Sequence, residues 1–164
     1  MARKAFYSFH FEPDNWRASK VRNMGVIEGN RPASDNDWES ITDGGEEAIK
    51  RWIASQMSGK SVMILLIGSK TAGRKWIKYE IKKAWTDKKG VLGIHIHNLL
   101  DRNNAQTTKG RNPFSDFKIG GKDMASIVQT YDSPYITSSY VYNYIKNNLS
   151  DWIEKAIEIR KSHG

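Results

Sequence analysis

The feature that most limits how this chain can fold is the stretch SVMILLIGSKTAGRKWIKYEI at residues 61–81. Its apolar residues at 62–67 show no polar alternation, a pattern typical of a strand covered on both faces in a parallel sheet. A polar loop with two glycines follows, and residues 76–85 then predict a helix. Because α/β proteins bind ligands at strand ends of this kind, the stretch predicts both a fold class and a site.

Predicted strands and helices alternate through the rest of the chain. Strands are predicted at residues 4–11, 91–97 and 127–131, with a short edge strand at 25–27. Helices are predicted from Asp14 or Asn15 to Met24, at 44–57 and at 138–162, the last interrupted near 147–151, with polar loops at 29–42 and 98–117. We therefore expect an α/β three-layer sandwich with a central five-stranded parallel sheet, flavodoxin-like, in the order 2-1-3-4-5.

The composition narrows the classes of protein that fit. A chain of 164 residues is expected to form one domain, and 38% hydrophobic residues argue against disorder. The absence of cysteine excludes disulfides and thiolate zinc sites, and the amino terminus lacks the apolar segment of a signal peptide, so we expect a cytoplasmic protein. The formal net charge of +8 attracts anions in general, but no nucleic-acid motif accompanies it, and interspersed lysines usually only solvate helix faces.

The loop at residues 68–75, GSKTAGRK, invites comparison with the phosphate-binding loop of ATPases. Its two glycines have the required spacing, but Arg74 replaces the lysine and Lys75 replaces the magnesium-binding hydroxyl, which disfavours an ATPase. The start of the following helix can still hold a nucleotide phosphate through aligned backbone N–H groups and nearby cations.

Glu80 lies at the edge of the apolar stripe of the helix predicted at 76–85, one turn after Trp76. One interpretation is that Glu80 only pairs with Lys83 at the i,i+3 spacing. The other is that a partly desolvated carboxylate beside an indole, at the end of a central strand, holds a cationic sugar centre.

Other polar residues give weaker signals. His95 and His97 share one strand face, as two metal ligands can, but no third ligand is obvious and no metal is expected. Ser8, His10 and Asp14 are too close along the chain for a Ser-His-Asp relay, and lining a polar pocket suits Ser8 and His10 better. Four tryptophans are interpreted as core or rim packing: Trp16, Trp38, Trp52 and Trp85.

Four blocks of sequence stand in a characteristic order: KAFYSFHF at 4–11, followed by VRN at 21–23; LIGS at 66–69 with WIKYEI at 76–81; GIHIH at 93–97; and KGRNPF at 109–114. Together they resemble TIR domains, and most closely the TIR-like, ThsB-type proteins of bacterial Thoeris antiphage defence. The similarity covers about residues 4–117, and the mainly helical part from about residue 118 diverges. The resemblance implies a flavodoxin-like fold.

The resemblance also implies cleavage of NAD+ between nicotinamide and ribose. For Thoeris proteins it implies cyclisation of the ADP-ribose portion into a signal that activates a separate NAD-consuming effector. NAD+ is then the substrate, and no cofactor is expected. Glu80 matches the catalytic glutamate of the family. Nicotinamide leaves as a neutral group, so the carboxylate has only to stabilise an oxocarbenium-like ribose.

The resemblance suggests further site residues: Ser8, Phe9 and His10 as pocket wall, Trp76 as a stacking or shaping residue, and Arg17 or Lys70 as phosphate contacts. Some bacterial TIR domains are active only after self-association, so a homo-oligomer is a further expectation. The leading alternative is a non-catalytic TIR adaptor acting through protein contacts. A basic nucleic-acid-binding protein is a third hypothesis.

Overall fold

The computed structural model describes residues 3–25, 28–29, 41 and 43–164. Strands and helices alternate along the chain, as the sequence predicts. The strands are β1 (Lys4–Ser8), β2 (Glu28–Gly29), β3 (Val62–Ile67), β4 (Gly90–His95), β5 (Lys118–Ile119), β6 (Lys122–Asp123) and β7 (Thr130–Tyr131). The helices are α1 (Phe11–Arg22), α2 (Gly45–Met57), α3 (Lys75–Thr86) and α4 (Ser138–Ser162), with 3-10 turns at Pro113–Asp116 and Met124–Ser126.

Strand β3 lies inside a parallel sheet, with β1 on one side and β4 on the other. The two-residue strands β2 and β7 pair with the outer edges of β1 and β4. Every residue of β3 is fully buried, which confirms the prediction of a strand covered on both faces. The parallel strands and their connecting helices fit the predicted flavodoxin-like fold.

The sheet separates two hydrophobic clusters. Val62, Ile64 and Leu66 point into a cluster with residues of α1 and α4, whereas the alternate β3 residues point into a cluster with residues of α2 and α3. Because side chains alternate across a strand, this division shows that a helix pair covers each face of the sheet. The three layers leave the carboxyl ends of β1, β3 and β4 as a shared edge.

The start of α1 differs from the prediction. Strand β1 ends at Ser8, and α1 begins at Phe11 rather than at Asp14 or Asn15. Pro13 therefore lies in the first turn of the helix, where its missing N–H is tolerated because the first N–H groups of a helix have no partner within it. The consequence is that Asp14 lies inside α1, with its backbone N–H bonded to the carbonyl of His10.

The carboxyl-terminal part also departs from the predictions. The interruption predicted near 147–151 is wrong, because buried Leu149 and Ile153 pack in the core and α4 continues through this region. The strand predicted at 127–131 consists only of Thr130–Tyr131, because the preceding 3-10 turn at 124–126 takes Ile127 as its C-cap. The hairpin of β5 and β6 was not predicted; Gly120 and Gly121 both have the positive φ that a two-residue hairpin turn requires.

Some predictions lie outside the described residues: positions 26–27 of the predicted edge strand, most of the predicted loop at 29–42, and the packing of Trp38. Within the part of the chain that is described, no helix combines the length and the apolar character needed to cross a membrane.

Candidate active site

A cavity of about 700 Å³ opens at the carboxyl ends of β1 and β3, between the start of α1, the loop after β3, and helices α2 and α3. Its walls are largely aromatic, with contributions from Phe6, Tyr7, Phe9, Phe11, Trp52 and Trp76. Its polar lining consists of His10, Glu12, Lys70, Arg74, Lys75 and Glu80. A volume of this size and a mixed lining of this kind are typical of small-molecule sites.

Glu80 is the buried charged residue of this cavity, with 7% of its surface exposed. The hydroxyl of Ser8, the last residue of β1, donates a hydrogen bond of 2.9 Å to Glu80 Oε1. Burial raises the pKa of Glu80 to about 8, although the Ser8 hydrogen bond acts in the opposite direction. Lys83, the alternative partner predicted from sequence, instead pairs with Asp87 at 2.9 Å.

The environment of Glu80 favours a cationic ligand. Glu80 forms no ion pair with any residue that the structure describes, and an unpaired buried carboxylate is costly. A positive group entering the cavity would stabilise the ionised form by removing that cost. Trp76, on the preceding turn of α3, lines the cavity and meets Tyr79 edge to face at 5.5 Å.

The lining of the cavity also carries positive charge. Lys70 and Arg74 line it and form no ion pair with a described residue, whereas Lys75 pairs with Glu46 of α2 and lies 5.2 Å from the Trp76 ring. Arg74 is also the N-cap of α3, so backbone N–H groups of the first turn add to the positive potential. These cations and N–H groups can therefore hold an anion such as a phosphate.

His10 and two phenylalanines form the mouth of the cavity on the β1 side. Burial and the charge of Arg74 lower the pKa of His10, so its ring is neutral near pH 7. Phe9 and Phe11 stack with their ring centroids 6.3 Å apart. The predicted pocket residues Ser8, Phe9, His10, Lys70, Trp76 and Glu80 are thus brought together, with Ser8 reaching the cavity through Glu80.

Two glycines fix the loop that follows β3. A Cβ atom on Gly68 would lie 2.0 Å from Asp14 Oδ2, and one on Gly110 would lie 2.2 Å from the Gly68 carbonyl oxygen. The Gly68 N–H also donates to the hydroxyl of buried Thr71 at 2.8 Å. Helix α1 and the segment around residue 110 therefore hold the loop that carries Lys70 and Arg74.

Arg17 lies outside the cavity. Its guanidinium donates to Asp14 Oδ1 at 3.0 Å and to the carbonyl oxygens of Leu99 and Ala105 at 2.9 Å each. Arg17 is 3% exposed and joins α1 to the segment after β4. From this position Arg17 does not reach the cavity, so we assign the predicted phosphate contacts to Lys70 and Arg74 instead.

The other polar candidates occupy separate positions. His95 and His97 are buried with ring centroids 5.8 Å apart, and burial lowers the pKa of His95 to about 4. Within the described ranges, no group of three or more histidine, cysteine, aspartate or glutamate side chains could hold a metal ion. Ser8 bonds to Glu80 and Asp14 to Arg17, so Ser8, His10 and Asp14 form no catalytic relay.

Sequence reasoning missed several cavity residues. Trp52 packs against the hydrophobic core, as predicted, but it also lines the cavity from α2, and Phe11 lines the cavity because α1 begins earlier than predicted. Trp16, also interpreted as packing, is 53% exposed. Trp85 does pack, with the Arg160 guanidinium 4.4 Å from its ring. Only the basic loop sequence GSKTAGRK signalled Arg74 and Lys75 in advance.

Comparisons with known proteins point in one direction. The sequence model of the family described as Thoeris protein ThsB, TIR-like domain, matches residues 6–101. The chain is also 35% identical, over 119 residues, to ThsB1 of Bacillus cereus (strain MSX-D12), whose name gives it as a candidate cyclic ADP-D-ribose synthase. That alignment covers 70% of the present chain and 62% of the Bacillus protein.

Proposed function

This chain belongs to the TIR-like family of the Thoeris protein ThsB, and we therefore propose that it cleaves NAD+ at the bond between nicotinamide and ribose. The ADP-ribose portion is then cyclised into a nucleotide signal that activates a separate NAD-consuming antiphage effector. The observation that carries the proposal is Glu80, a buried carboxyl group in a cavity that is also lined by aromatic rings and by cations.

The charges of the cavity match those of the substrate. The nicotinamide riboside part of NAD+ is a cation and suits the side of Glu80, whereas its diphosphate suits Lys70 and Arg74. Trp76 offers an aromatic surface beside Glu80 for the pyridinium ring. This orientation places the scissile bond next to the carboxylate.

Bond cleavage in this arrangement needs no acid. The C–N bond breaks with its electron pair going to the nicotinamide nitrogen, so a neutral molecule leaves and positive charge develops on the ribose carbon. Ionised Glu80, held by the Ser8 hydroxyl, stabilises that charge. The pKa of Glu80 is about 8 without ligand, so at pH 7 most molecules carry a protonated Glu80. Binding of the cationic substrate favours the ionised carboxylate and releases that proton.

The fate of the ribose carbon depends on which nucleophile reaches it. A hydroxyl or an adenine nitrogen of the same molecule closes a ring and loses its proton, whereas water gives linear ADP-ribose. The aromatic walls of the cavity support the first outcome because they limit water beside the reacting carbon.

We also propose that the sheet has the complete order 2-1-3-4-5 that the sequence predicts. The pairing of β2 with β1 and of β7 with β4 supports this order, although each edge strand contributes only two residues.

The deciding experiment measures nicotinamide release from NAD+ by the wild type, Glu80→Gln and the matched control Glu158→Gln, whose residue is exposed on α4. Removing one group that stabilises transition-state charge costs about 100- to 1000-fold in rate, so we expect Glu80→Gln to lose that much and Glu158→Gln to lose nothing. Chromatography of the products separates a cyclic nucleotide from ADP-ribose.

Two results would count against the proposal. Equal nicotinamide release by Glu80→Gln and the wild type would remove Glu80 from the reaction. No release by a wild-type sample shown to be oligomeric or partner-bound would favour the non-catalytic adaptor. Addition of the purified product to an NAD-consuming effector tests the signalling step separately from the cleavage.

A further inference from the structure

A second cleft, of about 570 Å³, lies beside the cavity. Its walls come from the first turns of α1 and from residues 101–103 of the segment after β4. Phe11 and Glu12 line both the cavity and the cleft, so the two spaces are neighbours separated by a single ridge. A ligand longer than the cavity can cross that ridge and enter the cleft.

The chemistry of the cleft suits a neutral aromatic base. Trp16 lines it with 53% of its surface exposed, which leaves an indole available for stacking. Asn15 and Asn103 line the cleft and supply amide groups that can hydrogen-bond the edge of a base. The charged residues that line the cleft are Glu12, Asp101 and Arg102, and Asp101 lies 3.6 Å from the Arg17 guanidinium, so the cleft carries no net positive charge to favour a phosphate.

The cavity and the cleft together offer three kinds of chemical environment. Glu80 is buried in the cavity, and Lys70 and Arg74 are its exposed cations. Arg74, Glu12 and Lys70 all act electrostatically on His10, which directly precedes Phe11 of the ridge. The cavity therefore offers a buried carboxyl group and cations, and the cleft beyond the ridge offers an aromatic ring with amides. NAD+ carries parts with matching properties: a ribosyl pyridinium, a diphosphate and an adenosine.

We propose that this cleft holds the adenosine end of NAD+, with the adenine ring stacked on Trp16. The inference rests on the proposed function, because it takes NAD+ as the ligand of the neighbouring cavity. Trp16 is then a specificity-determining residue for the dinucleotide, and it contributes nothing to binding of the nicotinamide half alone.

The competing geometry keeps the whole ligand inside the cavity. In that case the adenosine folds back and stacks on Phe9, which lines the cavity but not the cleft. The two geometries differ in which aromatic side chain contributes to adenosine affinity, so paired variants separate them.

Equilibrium binding to the full chain tests the proposal. All proteins carry Glu80→Gln so that no ligand is consumed, and the probes are ADP-ribose, which contains adenosine, and nicotinamide mononucleotide, which lacks it. Aromatic stacking on a base is worth about a 10- to 100-fold change in affinity. We expect Trp16→Ala to weaken ADP-ribose binding by at least 10-fold and to leave nicotinamide mononucleotide unchanged, Trp16→Phe to restore most of the loss, and Tyr140→Ala, at an exposed aromatic of α4, to change neither.

Other patterns would overturn the inference. If Trp16→Ala leaves ADP-ribose binding unchanged, or weakens both probes equally, the cleft is not an adenosine site. If Phe9→Ala alone weakens ADP-ribose binding, the adenosine folds back into the cavity. The proposed function fails independently of these results: a wild type that binds ADP-ribose through Trp16 but releases no nicotinamide refutes the cleavage and leaves the adenosine site standing.

Discussion

Asp14 and Glu80 are both buried carboxyl groups near the carboxyl ends of β1 and β3, yet their partners differ. Asp14, 1% exposed, accepts a hydrogen bond from the Arg17 guanidinium, and its other oxygen packs against Gly68. Glu80, 7% exposed, accepts one hydrogen bond from the Ser8 hydroxyl and pairs with no described cation. Burial raises the pKa of both carboxyl groups, but for Asp14 the neighbouring guanidinium opposes the effect directly.

The difference separates a structural ion pair from a candidate ligand site. Arg17 pairs with Asp14, lies 3.6 Å from the Asp101 carboxylate and donates to backbone carbonyls, so its charge and its donors are used within the protein and the cluster joins segments of the chain. Glu80 faces an open cavity with no described cation beside it, and in the proposed function a cationic substrate supplies the missing partner. An uncompensated buried charge lowers the stability of the folded protein, and buried charges of this kind are common at functional sites.

Arg17→Met tests the structural half of the comparison and has the largest expected effect. The substitution keeps an apolar stem but leaves the Asp14 carboxylate buried without a cation and removes donors to Leu99 and Ala105. Breaking a buried ion pair from one side costs about 3–5 kcal/mol, so we expect a loss of that size in the free energy of unfolding, measured with urea at pH 7.

Arg3→Met is the matched control for that experiment. Arg3 also pairs with a carboxylate at 2.9 Å, that of Glu154, but both side chains are largely exposed, and such pairs contribute about 0–1 kcal/mol. Similar losses in the two variants would show that the Asp14–Arg17 cluster is no more than a surface ion pair.

Local patterns in the sequence predicted much of the Glu80 region. The uninterrupted apolar run predicted β3, and helical periodicity placed Glu80 at the edge of a buried stripe. In the structure Glu80 is buried and accepts a hydrogen bond from Ser8. Both signals work because the residues that decide burial lie within a few positions of one another. The catalytic role of Glu80 stays a prediction.

The Asp14 cluster was not predictable in the same way. Arg17 meets the carbonyls of Leu99 and Ala105, which lie more than 80 positions along the chain, and no local pattern encodes such a contact. The start of α1 was also misjudged: the strand was predicted to run to residue 11 and the helix to begin at Asp14 or Asn15, although a helix tolerates Pro13 in its first turn. That shift also moved Phe11 to the cavity wall and turned Trp16 from a packing residue into part of an open cleft.

Glu80→Gln tests the other half of the comparison through stability. The pKa of Glu80 is about 8 in the folded protein against an ordinary value of 4.5, so the folded state keeps a proton that the unfolded state loses. Wild-type stability therefore falls as pH rises from about 4.5 to 8, and glutamine removes this cost. We expect the variant to match the wild type near pH 4.5 and to exceed it by about 2–4 kcal/mol at pH 9, from urea unfolding.

A second variant controls for general effects of pH on the stability of the protein. Glu158→Gln changes an exposed glutamate of α4, so its stability should follow the wild type at every pH. A constant difference between Glu80→Gln and the wild type from pH 4.5 to 9 would mean that Glu80 titrates normally and that its burial has no electrostatic cost.

Ser8→Ala should have the smallest effect, because it changes the charge state of Glu80 without removing the carboxyl group. The Ser8 hydroxyl stabilises the ionised form, so its loss should raise the pKa of Glu80 further. A hydrogen bond to a charged group corresponds to about one pH unit. Since kcat/KM reports the free enzyme, we expect its rise with pH, centred near 8 in the wild type, to move up by about one unit in Ser8→Ala.

The shape of that profile distinguishes charge tuning from a general defect. Among the other cavity groups, burial lowers the pKa of His10 and raises the pKa of Tyr7 to about 12, so these two groups titrate outside the range near pH 8 in which Glu80 titrates. Ser8→Ala should therefore be about tenfold slower than the wild type at pH 7 and converge with it above about pH 10, while Ser61→Ala, just before β3 at the opposite end of the strand, follows the wild type. A loss of equal size at every pH would show that Ser8 only shapes the cavity, and Glu80 would then resemble Asp14, whose surroundings fix its position and not its charge.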